Sequence, residues 1–106
     1  MNKSTNECSY VIKDDDGNYV GDIAERTNYY VYSYSDRFKN GIFSAPIEMA
    51  QIQLDKCKNI AKRIKFDKEF HIEEINIIKT IHKESKLPED LYPIKYRYIE
   101  KELEIA

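Results

Sequence analysis

An apolar stripe in the middle of the chain constrains the fold most, because it fixes where a long helix must lie. Six side chains recur at intervals of three and four residues, the repeat of one helix face; they are Ile47, Ala50, Leu54, Cys57, Ala61 and Ile64. Ser44 can cap the first turn, Pro46 is tolerated within it, and Glu48 suits the positive end of the dipole. We therefore predict a helix over about residues 44–66, whose small residues allow close packing on a sheet.

Alternating polar and apolar residues before the helix predict three strands. Two are expected at residues 8–12 and 19–23, joined into a hairpin by the Asp- and Gly-containing turn 14–18. A third is expected at residues 27–35. The polar residues 1–7 are expected to be frayed.

The chain after the helix contains two further strand candidates. Residues 70–81 carry isoleucines at helical spacing, but their many β-branched side chains favour a strand. Residues 94–105 fit either a last strand or a short helix, and their alternation favours a strand. These elements predict a single α+β domain over residues 1–106, in which one long helix packs on one face of an antiparallel sheet of three to five strands.

Composition predicts a folded protein that remains in the cytoplasm. Of the 106 residues, 34% are charged, and the net charge of −2 favours neither nucleic acid nor an anionic membrane. The chain shows no apolar targeting segment and no run of membrane-spanning length. Cys8 and Cys57 fit no metal or redox spacing, so we expect reduced thiols, with a disulfide between them as the alternative.

Motifs for catalysis, metals and cofactors are missing from the sequence. The acidic turn 14–18 fails as a calcium loop, because aligning Gly17 with the glycine of an EF-hand puts Ile12 and Ile23 at two ligand positions. The two histidines lack the further ordered ligands that zinc requires. Three glycines leave no phosphate-binding loop. We therefore predict a protein that is not an enzyme and uses no cofactor.

Tyrosines on the third predicted strand form the first candidate binding surface. Alternation places Tyr30, Tyr32 and Tyr34 on one face, and we refer to them as the tyrosine row. Such rings can stack on bases, contact a partner protein or cover the helix as part of the fold. The sequence leaves these three readings open.

A second candidate surface lies beside the helix stripe. It consists of Met49, Ile52, Lys56 and Ile60, which we refer to as the helix flank, and Ile52 points nearly opposite the stripe. Exposed apolar residues in a group are typical of contact surfaces. With the tyrosine row, the helix flank is predicted to bind a partner protein, or a second copy of the chain in a homodimer.

Two charged segments support alternatives that involve nucleic acid. A basic ridge could contact phosphates or simply suit the negative end of the helix dipole; its members are Lys56, Lys58, Lys62, Arg63 and Lys65. In residues 87–106, acidic groups are interleaved with tyrosines. This tail either imitates the charge of nucleic acid or forms a charged edge strand.

The order of these elements resembles that of small phage and mobile-element proteins of low-GC Gram-positive bacteria. The segments that carry the resemblance are YVIKDDDGNYV, SAPIEMAQIQLDKCKNIAKRI and FHIEEINIIKT. Fifteen isoleucines against four leucines indicate an AT-rich genome of the same kind. The resemblance implies an accessory protein that acts by binding, in a class that includes anti-CRISPR proteins.

Our first hypothesis is therefore a non-enzymatic phage or mobile-element protein that inhibits or redirects a host protein, such as a CRISPR-type defence nuclease. One alternative is a nucleic-acid-associated protein of phage replication or regulation. Another is a homo-oligomeric structural protein.

Overall fold

The strands and the helix follow the order that the sequence pattern predicts. A computed structural model of the chain describes residues 2–39 and 41–100. Within these residues lie five strands, an α-helix and a short 3-10 helix: β1 (Lys3–Asp14), β2 (Tyr19–Glu25), β3 (Tyr30–Ser35), α1 (Ile47–Ile64), β4 (Phe70–Ile81), the 3-10 helix (Glu89–Leu91) and β5 (Ile94–Glu100). The strand interpretations of residues 70–81 and 94–100 are confirmed, and residues 101–105 lie outside the described part.

The strands form one antiparallel sheet in the order β3-β2-β1-β4-β5. Helix α1 contacts β1, β2 and β4 and packs on one face of the sheet, which confirms the predicted α+β class. No helix in the described residues is long and apolar enough to cross a membrane.

The helix is shorter than predicted at both ends, and Ser44 does not cap it. The N-cap is Pro46, and no side chain bonds to the exposed amides of the first turn. Ala45 instead exchanges two backbone hydrogen bonds with Tyr10, with N–O distances of 2.9 and 3.0 Å. This bridge to β1 holds the chain extended up to Pro46, so the helix starts only at Ile47.

Two apolar cores lie on opposite faces of the sheet, because neighbouring residues of a strand point to opposite sides. The helix-side core contains Ile12, Val20, Ile23, Leu54, Cys57, Ala61 and Phe70. The loop-side core contains Val11, Tyr19 and Ile75, against which Phe38, Ile42 and Tyr98 pack. Four members of the predicted helix stripe are buried, whereas Ile64 is half-buried and Ile47, at the start of the helix, is exposed.

The first strand is longer than predicted, and the expectation that residues 1–7 are frayed is wrong for residues 3–7. These residues pair in register with residues 77–81 of β4, from Lys3 opposite Ile81 to Glu7 opposite Ile77. A side-chain hydrogen bond of 3.1 Å joins Ser4 and Thr80. Strand formation depends strongly on the neighbouring strand, and here the long β4 supplies the hydrogen-bonding partners.

The third strand begins at Tyr30 rather than at residue 27. A tight turn precedes it, in which the amide of Arg26 donates to the carbonyl of Tyr29 at 2.7 Å. Residues 27–29 are therefore used to reverse the chain between β2 and β3.

One end of the sheet extends beyond the helix. The helix-side core takes its members from the ends of β1 and β4 nearest the hairpin turn. The opposite ends form a three-stranded segment of residues 3–8, 76–81 and 94–99, which we refer to as the arm. The radius of gyration is 17.2 Å, against about 13 Å for a compact domain of this length, so the arm makes the molecule elongated.

Candidate binding surfaces

The tyrosine row lies on the helix side of β3, but its members have different environments. Tyr32 is half-buried, and its ring packs edge-on against Phe66 and Phe70 at centroid distances of 5.0 and 6.1 Å. Tyr30 and Tyr34 flank it and are 44% and 58% exposed. Tyr32 therefore serves the fold, whereas Tyr30 and Tyr34 each leave about half of their surface open to a partner, although Tyr30 also packs edge-on against Phe66 at 5.1 Å.

Asp14 explains why Tyr32 is held in place. Its carboxylate is buried, and it accepts a hydrogen bond of 2.8 Å from the Tyr32 hydroxyl and one of 2.9 Å from the Asn18 amide. Burial, followed by the bond to Asp14, raises the pKa of Tyr32 far above its usual value. Tyr32 thus remains a neutral hydrogen-bond donor at physiological pH.

The negative charge of the acidic turn is partly offset by Lys68, a lysine that follows α1 in the chain. Carboxylate oxygens of Asp14, Asp15 and Asp16 lie within 4.8 Å of one another. The ammonium group of Lys68 lies 4.0 Å from those of Asp14 and Asp15 and forms an ion pair with Asp16. This arrangement ties the hairpin turn to the segment after α1, which fits the predicted structural role of the turn.

The helix flank divides into an exposed half and a half that packs on β2. Met49 and Ile52 are 55% and 64% exposed. Ile60 is half-buried and packs on the helix-side core. Lys56 donates to the carboxylate of Asp22 at 2.9 Å. Within the helix flank, Met49 and Ile52 are therefore the two apolar residues most available to a partner.

Ion pairs line the groove between α1 and β2 and weaken the predicted basic ridge. Arg63 contacts Glu25 at 2.6 Å, in the same way that Lys56 contacts Asp22. Burial would raise the pKa of Asp22, but hydrogen bonds from Lys56 and Gln53 outweigh it, so the pKa is lowered. Two members of the ridge are thus already paired with acids, which makes the ridge a poorer phosphate site than its sequence suggests.

The arm carries an apolar surface that the sequence reasoning missed. The face opposite the helix, which we refer to as the arm face, contains Ile77, Ile81, Ile94, Tyr96 and Tyr98. Phe38 covers Tyr98, whereas Ile94 and Tyr96 are exposed. The alternation of residues 94–98 was visible in the sequence. The surface was missed because the polar residues at the start of the chain were not predicted to form a strand, and the arm exists only when residues 3–8 pair with β4.

Cys8 and Cys57 are reduced thiols that form no disulfide with each other, as expected. Cys57 lies in the helix-side core, where burial raises its pKa to about 11. Cys8 is exposed on β1, and its thiol donates to Glu74 at 2.8 Å. The thiol of Cys57 is therefore protonated at neutral pH and belongs to the packing of the core.

Comparison with known proteins finds no matching family model, no matching curated protein and no matching solved structure.

Proposed function

We propose that this chain is a non-catalytic accessory protein of a phage or mobile element, which binds a host protein and inhibits or redirects it. The observation that carries the proposal is the pair Met49 and Ile52, which stand one helical turn apart on α1 and are both more than half exposed. Their helix is anchored to the sheet by a buried stripe, so the pair is presented on a rigid element. Apolar groups exposed in this way are typical of protein contacts.

Tyr30 and Tyr34 extend the proposed contact to the edge strand β3. Tyrosine is enriched at protein interfaces because it offers a large area and a hydrogen bond at little entropic cost. The isoleucine-rich composition supports an AT-rich phage or bacterial origin, and hence a host partner from a low-GC Gram-positive bacterium.

The test is capture of a host protein by the immobilised chain from a low-GC Gram-positive lysate. We expect a stoichiometric partner that is retained by the wild type and lost with Ile52→Asp. Gln51→Asp is the matched control, because it places the same charge at a neighbouring exposed helix position. Failure to retain any stoichiometric host protein, or equal loss with both variants, contradicts the proposal.

A CRISPR-type nuclease as the partner makes a narrower prediction. The purified chain should then block cleavage of target DNA by an assembled nuclease–guide complex, and Ile52→Asp should restore cleavage. Unchanged cleavage at a large molar excess of the chain contradicts this choice of partner.

A further inference from the structure

Basic residues are concentrated on the arm, although the chain as a whole is acidic. The arm contains four basic residues and one acidic residue, Glu7; the basic ones are Lys3, Lys79, Lys95 and Arg97. Its formal charge is +3, which leaves −5 for the rest of a chain whose net charge is −2. This separation of charge favours an anionic partner at the arm.

The register of the arm brings these charges next to exposed rings. Lys79 lies on β4 directly between Thr5 of β1 and Tyr96 of β5. In the next row outward, Ile81 lies between Lys3 and Ile94. Because residues paired in an antiparallel sheet share a face, Lys3, Lys79 and Tyr96 all project from the arm face.

Two tyrosines stand side by side along the edge strand. The rings of Tyr96 and Tyr98 are parallel within 1°, with centroids 6.4 Å apart. Phe38 packs edge-on against Tyr98 at 4.6 Å and fixes that ring. Tyr96 is 47% exposed. A groove beside both rings is also lined by Phe38, Lys39 and Glu7, so a planar group can approach the rings where Lys39 offsets the charge of Glu7.

We propose that the arm face binds single-stranded nucleic acid, with bases stacked on Tyr96 and phosphates held by Lys3 and Lys79. Sites of this kind combine aromatic rings with a positively charged path for the backbone. Lys95 and Arg97 project from the opposite face of the same edge strand, so they add to the positive field of the arm and not to the contacts of the arm face itself. The bases of a duplex stay stacked on one another, so they cannot stack on the tyrosine rings of the arm face. An acidic peptide could pair with the lysines but has no base to stack on the rings.

The experiment is fluorescence anisotropy with labelled single-stranded oligonucleotides, oligo(dT) and oligo(rU) of about twenty nucleotides, a length above the usual site size. We expect binding at low salt that weakens steeply between about 50 and 200 mM salt, because phosphate contacts release counterions. Tyr96→Ala should weaken binding about tenfold, the loss expected for one stacked base. Lys79→Glu should weaken it and also reduce its salt dependence.

Matched controls separate this site from general charge effects. Tyr29→Ala removes an exposed tyrosine outside the arm, and Lys58→Glu reverses an exposed lysine on α1; both should bind like the wild type. Lys3→Glu, at an exposed strand end, repeats the charge test if Lys79→Glu lowers the melting temperature. Ile52→Asp should leave binding unchanged, because the helix flank and the arm face share no residue.

Four results overturn the proposal. The first is that neither oligonucleotide binds at low salt, and the second is that the control and arm variants lose equal affinity. The third is that a duplex of the same length binds equally tightly. The fourth is that polyglutamate displaces the labelled oligonucleotide as effectively as unlabelled oligo(dT) does. The last result identifies the arm as a site for acidic polypeptides.

Discussion

At the scale of single residues, Asp14 joins three separate parts of the chain. It caps its own turn through the amides of Asp16 and Asn18, accepts a hydrogen bond from Tyr32 on β3, and faces Lys68 after the helix. A buried carboxylate is costly unless it is hydrogen-bonded and paired. Asp14 meets both conditions, so it fixes the relative positions of the hairpin, the edge strand and the segment after α1.

Tyr32→Phe tests this role, because it removes the hydroxyl and keeps the ring. We expect a loss of about 1.5–3 kcal/mol in the free energy of unfolding, the usual contribution of a hydrogen bond to a charged group. Tyr34→Phe is the control, since Tyr34 is exposed and its loss should stay within about 0.5 kcal/mol. Urea unfolding measures both. Equal stability of the two variants contradicts the role assigned to Asp14.

The pH dependence of stability provides a second test of Asp14. Burial would raise its pKa, but hydrogen bonds from Asn18 and Tyr32 and the charge of Lys68 outweigh burial and hold the pKa below its ordinary value of 3.8. As the pH falls, Asp14 is therefore protonated in the unfolded chain before it is protonated in the folded protein. Its contribution to the free energy of unfolding is complete above the ordinary pKa and is lost as the pH falls through the lower pKa of the folded state.

Asp14→Asn should therefore flatten the fall in stability between about pH 4 and pH 2. Urea midpoints measured across this range show whether the wild type loses more stability than the variant. Parallel curves contradict a lowered pKa at Asp14. The stability of the variant should still fall somewhat over this pH range. The pKa of Asp22 is also lowered, because hydrogen bonds from Lys56 and Gln53 outweigh the effect of burial.

At the scale of elements, the end of the helix shows what sequence patterns can and cannot predict. The stripe fixes which face of α1 is buried, and that face was predicted correctly at Ala50, Leu54, Cys57 and Ala61. The residues at which α1 begins and ends depend instead on backbone hydrogen bonds. At the C-terminus, the amides of Lys65 and Phe66 donate to the carbonyls of Lys62 and Ala61, at 3.4 and 2.8 Å. This pattern is a Schellman motif, with Lys65 in the left-handed conformation at φ 57°.

Lys65→Gly should stabilise the protein by about 1 kcal/mol, because the left-handed conformation costs a residue with a Cβ about 1–2 kcal/mol. This gain corresponds to a rise of roughly 4–8 °C in melting temperature. Lys62→Gly is the control inside the helix, where glycine should cost about 1 kcal/mol. A lower melting temperature for Lys65→Gly contradicts the assigned cap.

The elements that were predicted incorrectly depend on distant partners. Residues 3–7 carry no apolar alternation, and their strand exists because β4 is long enough to pair with them. Ser44 has the chemistry of an N-cap, but the bridge between Ala45 and Tyr10 keeps the chain extended past it. In both cases the deciding contact lies more than thirty residues away, so a local pattern cannot reveal it.

At the scale of the whole molecule, the sheet presents two separate surfaces. The helix flank and the tyrosine row lie on the helix side, whereas the arm face lies on the other side, at the end of β1 and β4 away from the hairpin turn. The edge strands β3 and β5 bound the sheet, and edge strands are common sites of pairing with other chains. The homo-oligomer hypothesis stays a prediction, and light scattering over a range of concentrations tests it.

The fold class was predictable because the stripe and the alternation are local signals. The candidate surfaces were predictable only in part. Met49 and Ile52 are exposed as expected. The tyrosine row, whose role the sequence left open, is divided by the fold, because Tyr30 and Tyr34 are exposed whereas Tyr32 packs on Phe66 and Phe70, which are distant in sequence. The charge separation of the arm could not be seen at all before β1, β4 and β5 were placed side by side.

The tail after residue 87 was compatible, from its sequence, with either an edge strand or an imitation of nucleic acid. All seven residues of β5 pair with β4, and Tyr98 packs against Phe38. Deleting residues 94–106 should therefore lower the melting temperature by uncovering the loop-side core. Tyr98→Ala should cost about 2 kcal/mol, below the usual loss for a fully buried aromatic ring. Tyr96→Ala should stay within about 0.5 kcal/mol, because Tyr96 is about half exposed and lies at the edge of the sheet.

Thermal unfolding of these three variants separates the alternatives for the tail. A tail that only imitates nucleic acid can be removed without changing the melting temperature, and its loss is seen solely as lost partner binding. If the tail completes the sheet, the deletion should have the lowest melting temperature, Tyr98→Ala an intermediate one and Tyr96→Ala the highest. We expect this order, because β5 supplies both the last row of backbone hydrogen bonds to β4 and the ring on which Phe38 rests.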